Sequence, residues 1–376
     1  MTALLDVYPQ LDLEPVAAEG VWITARDGRR YLDFYGGHAV ALLGYRHPGL
    51  LEVLSNQARD LFFQSNLVPL AVRERAAEAL VALAPAGLTR VLFVNSGAEA
   101  NENALRVAFR ATGRGRVVAV EGAFHGRTAG AAAVTAGSAR WNGFPRTPFD
   151  VTFVPFDDVP ALRAAIDDTV AAVILEPVQG VAGARALSSE FVQAAREAAT
   201  AAGARLIADE VQCGLGRTGY RSACEGLGVA PDLMTLAKGI AGGFPAAALL
   251  VGEADAAALK HGDLGTTFGG GPMAVALVEV VARHVADPAL LANVRRLSAR
   301  LAAETRVGPV TDVQGAGFLL GLRTTRPAKG VLADLRARGV LAGGSGDPNV
   351  VRLLPPLVLT DEHVDLLVAA LADIPS

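Results

Sequence analysis

The chain has 376 residues, 51% of them hydrophobic and 19% charged, and a formal net charge of −4. That length allows two or more domains and a large buried core. The mildly acidic balance without a basic patch speaks against nucleic acid as the main partner, and apolar runs far shorter than the ~20 residues of a membrane span speak against a transmembrane protein.

In chain order, apolar β-like runs at 90–94, 116–120, 151–154, 171–175, 205–208 and 233–237 alternate with alanine-rich helical stretches. This alternation predicts an α/β protein with a mostly parallel sheet covered by helices. The first run leads into Asn95-Ser96-Gly97 and then a helical pattern over 98–112. A glycine turn at a helix N-terminus presents free backbone N–H groups and the positive end of the helix dipole, which suits a phosphate.

Further on, the run 205–208 ends in Asp209 and Glu210. The following Gly214-Leu215-Gly216-Arg217-Thr218-Gly219 fits a dinucleotide-binding pattern, but such a site requires a helix next, and Gly226 and Gly228 interrupt that stretch. It reads as a flexible turn. The run 233–237 ends at Lys238, one of three lysines, with Lys260 and Lys329, among 34 basic residues. Beyond it, 273–287 and 290–305 read as helices. Segments 313–322, 330–340 and 350–354, closed by a helix from about 361, suggest a smaller α+β unit. No long linker or internal repeat is visible.

A lysine at the end of a buried strand invites a chemical reason. Its amine can form a Schiff base once desolvation or a neighbour lowers its pKa, which an arginine cannot do. In open α/β sheets ligands bind at the carboxyl ends of the strands, so Asp209 and Lys238 can face one cleft. Pyridoxal 5′-phosphate (PLP) chemistry uses that pair: the lysine holds the cofactor covalently, and the carboxylate keeps the ring nitrogen protonated.

Together these residues resemble the class III aminotransferases of PLP fold type I, over nearly the whole chain. The stretch Asn95–Glu102 is similar to that family's phosphate cup, implying Ser96, Gly97 and Ala98 as cofactor residues. The segment Phe124-His125-Gly126-Arg127-Thr128 resembles the one whose aromatic ring stacks on the cofactor and whose arginine faces the substrate. The resemblance therefore implies Phe124 and His125 beside PLP and Arg127 at the substrate. It also implies Asp209 as pyridinium partner, Val211 under the ring, Gln212 at the ring hydroxyl and Lys238 as the Schiff-base lysine. Thr266 and Thr267 match a segment reaching the phosphate from a neighbouring subunit, so a homodimer with shared sites is expected. Arg352 matches the arginine that binds the substrate α-carboxylate, and His38 is a further substrate candidate. The family's organisation implies an N-terminal segment (1–45) packing with a C-terminal small domain (271–376), around a large PLP-binding domain (46–270).

Within the class, the N-terminal motifs are most similar to acetylornithine and succinylornithine aminotransferases. The implied activity is transfer of the δ-amino group of an N-acylornithine, N2-acetylornithine foremost, to 2-oxoglutarate in arginine biosynthesis. Cys213 and Cys224, too few for a disulfide framework, and the lack of a signal-peptide pattern give a cytoplasmic expectation, and no metal is called for. Three departures from the family pattern stand out. Val181 occupies a position where many relatives have a glutamate that pairs with the α-carboxylate arginine, so a succinyl carboxylate is one candidate partner for Arg352. Tyr45 replaces a histidine and Gly271 an asparagine. Other readings of the residues are a PLP mutase or racemase, which needs no 2-oxoglutarate, and an aminotransferase for ornithine, 4-aminobutyrate or acylated lysine. The remaining one is a non-enzymatic dinucleotide-binding or scaffold protein.

Overall fold

The computed structural model describes residues 3–376. Its centre is a seven-stranded sheet in the order Leu88–Val94, Ala247–Gly252, Leu233–Leu236, Arg205–Asp209, Val170–Leu175, Arg116–Val120, Asp150–Val154. Neighbours are parallel, except that Ala247–Gly252 runs antiparallel to both strands beside it. Continuous apolar strands such as Val170–Leu175, buried along their whole length, are what a sheet covered on both faces requires.

Six strands therefore point the same way, and their carboxyl ends share one edge. The helix Gly97–Thr112 starts at that edge with Ser96 as its cap, the hydroxyl accepting from Glu99 N at 3.2 Å, and ends at left-handed Gly113. Helix Ser189–Ala202 is built the same way, from Ser188 to left-handed Gly203. Both show the expected polar start and glycine stop.

The C-terminal stretch 313–322 resolves into two antiparallel strands, Val310–Ala316 and Leu319–Thr324, turning at Gly317; Val350–Leu353 pairs with the second. The stretch 330–340 is helix Ala328–Ala337 followed by strand Val340–Leu341. This strand lies parallel to Arg30–Asp33 in a four-stranded sheet with Trp22–Ala25 and Pro15–Glu19, so the two ends of the chain share a sheet. Helix Pro272–Val285 packs on helices Pro48–Asp60 and Ala71–Leu83. One apolar core runs from Val21 through these helices to Ile374.

The segment 214–219 departs from the flexible turn expected of it. Arg217 is fully buried and donates to the carbonyls of Phe318 and Pro355, which ties the turn to the C-terminal strands. Among the described residues, no helix is long and apolar enough to cross a membrane.

Candidate active site

At the shared strand edge lies a cavity of about 460 Å³. Ser96, Gly97, Ala98, Phe124, His125, Arg127, Asp209, Val211, Gln212 and Lys238 all line it. They come from segments far apart in sequence, and the parallel sheet is what collects them.

Asp209 ends its strand 2% exposed. Its Oδ2 accepts from Asn101 Nδ2 and His125 Nδ1, each at 2.7 Å, and its Oδ1 accepts from Val211 N at 3.0 Å. His125 Nε2 is buried without a partner. The Nδ1 contact orients the imidazole against the Asp209 carboxylate.

Lys238 follows strand Leu233–Leu236 with φ of +49°, a conformation that costs a non-glycine residue roughly 1–3 kcal/mol and recurs at functional sites. Burial lowers the pKa of its amine, against the opposing pull of Asp209 and Glu176 and with help from Arg352. Glu176 accepts from Phe124 N at 2.8 Å and Gly180 N at 3.2 Å. Burial first, and the Asp209 charge second, push its carboxyl up to about 7. Glu210 points away from the cavity and accepts from Ala223 N and Cys224 N at 2.7 and 2.8 Å, so the Asp209-Glu210 pair is no solvated turn.

Close approach explains two glycines. A Cβ on Gly97 would sit 2.8 Å from Val211 Cγ1, and one on Gly180 would overlap the Gln212 side-chain oxygen.

A sequence-family model described as "Aminotransferase class-III" matches residues 7–374. The chain belongs to the class-III aminotransferases. It is 43% identical to the acetylornithine aminotransferase of Mycobacterium tuberculosis over 373 residues, covering 98% of this chain and 93% of that one. Among solved structures, it superposes on the ornithine aminotransferase of Toxoplasma gondii with a TM-score of 0.93 at 27% identity, covering 98% of this chain and 91% of that one. The N-acetylornithine aminotransferase of Stenotrophomonas maltophilia gives a TM-score of 0.83 at 32% identity, covering 97% and 96%. The fold is thus the PLP fold type I.

Class-III aminotransferases depend on PLP. The cavity of this aminotransferase fits that group. The first-turn N–H groups of Gly97 and Ala98 have no partner inside their helix and suit a phosphate. The buried Asp209 carboxylate suits a protonated ring nitrogen, the Phe124 ring and Val211 suit its faces, and Lys238 supplies an amine. Among the described residues, no cluster of three or more His, Cys, Asp and Glu side chains is arranged to hold a metal ion.

Four of the sequence candidates lie outside the lining. Arg352 is buried and donates to Gly344 O at 2.6 Å and Gly180 O at 3.0 Å. It is close enough to lower the pKa of Lys238, and burial lowers its own. Valine at position 181 offers it no carboxylate, and carbonyls hold it instead. His38 packs against Tyr35, with ring centroids 4.6 Å apart and the rings tilted by 56°, in a turn where residues 36 to 39 all have positive φ. Burial, Arg352 and Lys238 lower the pKa of its imidazole. Thr266 Oγ1 accepts from Asn95 Nδ2 of its own chain at 3.2 Å, while Thr267 is exposed.

The structure also explains Tyr45. Its hydroxyl donates to Asp33 Oδ2 at 2.6 Å, and Asp33 Oδ1 accepts from Tyr35 N and Gly36 N at 2.8 and 3.0 Å, which anchors the start of the His38 turn. Nothing in the structure explains the glycine at position 271. Sequence reasoning missed Asn101 and Thr235 as supports of Asp209. Asn101 lies one helical turn after Gly97, the spacing that puts both on one helix face, and that was the available signal.

Proposed function

We propose that the protein transfers the δ-amino group of an N-acylornithine, N2-acetylornithine foremost, to 2-oxoglutarate, giving the N-acyl glutamate semialdehyde and glutamate in arginine biosynthesis. The observation that carries this reading is one cavity flanked by Lys238 and Asp209, with two arginines near it, Arg127 and Arg352, that have no carboxylate partner among the described residues. Full-length similarity to acetylornithine aminotransferases supports the donor.

Lys238 would carry the cofactor through its amine. Once released, that amine is a base held in a poorly hydrated site, able to lift the proton from the donor carbon bearing the amino group and return it on the other side of the transfer. Bound PLP supplies an electron-accepting ring for the electron pair left when that C–H bond breaks. Asp209 would pair with the ring nitrogen, and His125, Asn101 and Val211 keep Asp209 in place. Ser96, Gly97 and Ala98 would hold the phosphate, and Thr266 and Thr267 of a second subunit would complete its site. Phe124 and Val211 would cover the ring faces, and Gln212 and His125 would lie beside its polar edge. Arg352 binds the α-carboxylate of glutamate or 2-oxoglutarate. Arg127 binds their other carboxylate or the α-carboxylate of the acylornithine, and His38 borders the donor. Two guanidinium forks suit the two ends of a dicarboxylate.

The same reading makes the protein a cytoplasmic homodimer with shared active sites, in which residues 46–270 form the PLP-binding domain and 1–45 join 271–376 in the small domain. The shared terminal sheet supports that division.

The test is a half-reaction. The PLP-loaded protein is mixed with N-acetylornithine, N-succinylornithine, ornithine or 4-aminobutyrate, without keto acid, and the visible absorbance of the bound cofactor is followed. Fast loss with N-acetylornithine is expected. Loss only with ornithine or 4-aminobutyrate would overturn the donor assignment, and faster loss with N-succinylornithine would replace the acyl group.

A further inference from the structure

The Arg127 guanidinium has no carboxylate partner among the described residues, although it stands at the cavity. It lies instead on aromatic rings. Its Cζ is 4.8 Å from the Trp141 ring centroid and 6.0 Å from that of Phe124, and the two rings are 6.3 Å apart. Trp141 follows the short turn Ser138–Arg140, with its N–H bonded to Ser138 O at 2.9 Å, and remains 37% exposed.

The backbone next to Arg127 is held from another direction. The Glu102 carboxylate accepts from Thr128 Oγ1 at 2.6 Å, Gly130 N at 3.0 Å and Ala131 N at 2.9 Å. Gly130 permits this, since a Cβ there would meet Glu102 Oε1 at 2.9 Å. Arg127 is thus clamped at its main chain and supported at its head group.

The kind of support matters. A carboxylate partner would neutralise the guanidinium and compete with any incoming carboxylate. An aromatic ring attracts the cation through the guanidinium face and leaves the N–H fork free in its plane. That fork is what recognises a carboxylate with two parallel hydrogen bonds.

We propose that Trp141 is a positioning residue for substrate: its indole holds the Arg127 guanidinium with the N–H edge open, so capture of a substrate carboxylate depends on Trp141 through Arg127. The inference rests on the reading of Arg127 as a substrate-binding arginine.

The test uses the PLP-loaded enzyme. Trp141→Leu is expected to raise KM for 2-oxoglutarate about fivefold with kcat nearly unchanged, the scale of one cation–π contact, while Trp141→Phe stays near wild type. The chain has two tryptophans. The other, Trp22, packs on Arg30 and His363 and takes no part in the site. In a Trp22→Phe enzyme, emission reports Trp141 alone. Titration with glutarate, a dicarboxylate that cannot react, is expected to change that emission saturably, and adding Arg127→Leu should abolish the change. An unaltered KM in Trp141→Leu, or emission indifferent to glutarate, would overturn the proposal. The titration keeps Trp141 in place, so it decides the matter even where Trp141→Leu folds poorly. An unchanged KM in Arg127→Leu would instead sink the Arg127 assignment. A raised KM there with a wild-type-like Trp141→Leu would sink this inference alone.

Discussion

Asn101 and Asp209 are locked together by a 2.7 Å hydrogen bond, and a third residue satisfies the other end of the amide. The carboxylate and the His125 carbonyl can only accept, so the amide turns its NH₂ group to both, reaching His125 O at 2.8 Å, and its oxygen to Thr235 Oγ1, which donates to Asn101 Oδ1 at 2.8 Å. Asn101→Asp would set two carboxylates against each other in a buried place, where they must share a proton. The expected result is at least a tenfold loss of kcat and weaker PLP retention, read by steady-state kinetics and cofactor release. Thr235→Val, which removes the donor to Asn101 Oδ1 but leaves the Asn101–Asp209 hydrogen bond in place, should lose far less. Equal behaviour of the two variants would contradict the lock.

Lys238 has little structural duty. Lys238→Ala is expected to abolish turnover while the far-UV spectrum and melting temperature stay close to wild type. Near-normal turnover in this variant would refute its assigned chemistry.

Glu176 predicts a pH signature. Its folded pKa, about 7, lies above the ordinary 4.5. The folded state therefore holds a proton that the unfolded state has lost, and the stability this group contributes is full below pH 4.5 and declines as pH rises through 7, by up to about 3 kcal/mol. A glutamine cannot titrate. The stability gap between wild type and Glu176→Gln, followed by melting of the PLP-free protein between pH 5 and 8, should move in favour of the variant at higher pH. A gap independent of pH would count against the buried proton.

Gly97 and Val211 should show a rescue. Gly97→Ala places a methyl 2.8 Å from Val211 Cγ1, which forces the valine toward the cofactor space, and weaker PLP binding is expected. Adding Val211→Ala relieves the clash and should recover part of the affinity. If the double variant binds no better than Gly97→Ala, the defect lies in the phosphate turn itself.

Much of this arrangement was legible in the sequence, for a physical reason. The strands that end in Asn95, Asp209 and Lys238 are continuous apolar runs with an abrupt polar finish, and such runs state both the element and its functional end. The strand Ala247–Gly252 was not read as part of the sheet, because a buried apolar run carries no sign of its direction or neighbours. The supports were harder still. Asn101 contacts Asp209 across 108 positions, and Trp141 reaches Arg127 out of an irregular loop with no periodicity to read. The left-handed turn at 36 to 39 depends on Asp33 and Tyr45, whose pairing only tertiary packing creates. The buried Arg217 was mistaken for part of a loose turn because its glycine-rich surroundings look the same whether they face water or the core.

The common strand edge also divides the labour of the chain into sharply separated territories. Over 206–208 and 236–237 the chain is a stem judged by volume and greasiness; one step later, at Asp209 and Lys238, it is judged by a single functional group. A saturation library across 206–209 or 236–238 should therefore show not a gradient but a cliff. Broad acceptance of apolar exchanges would stop at one peptide bond, beyond which folded protein is plentiful and turnover absent.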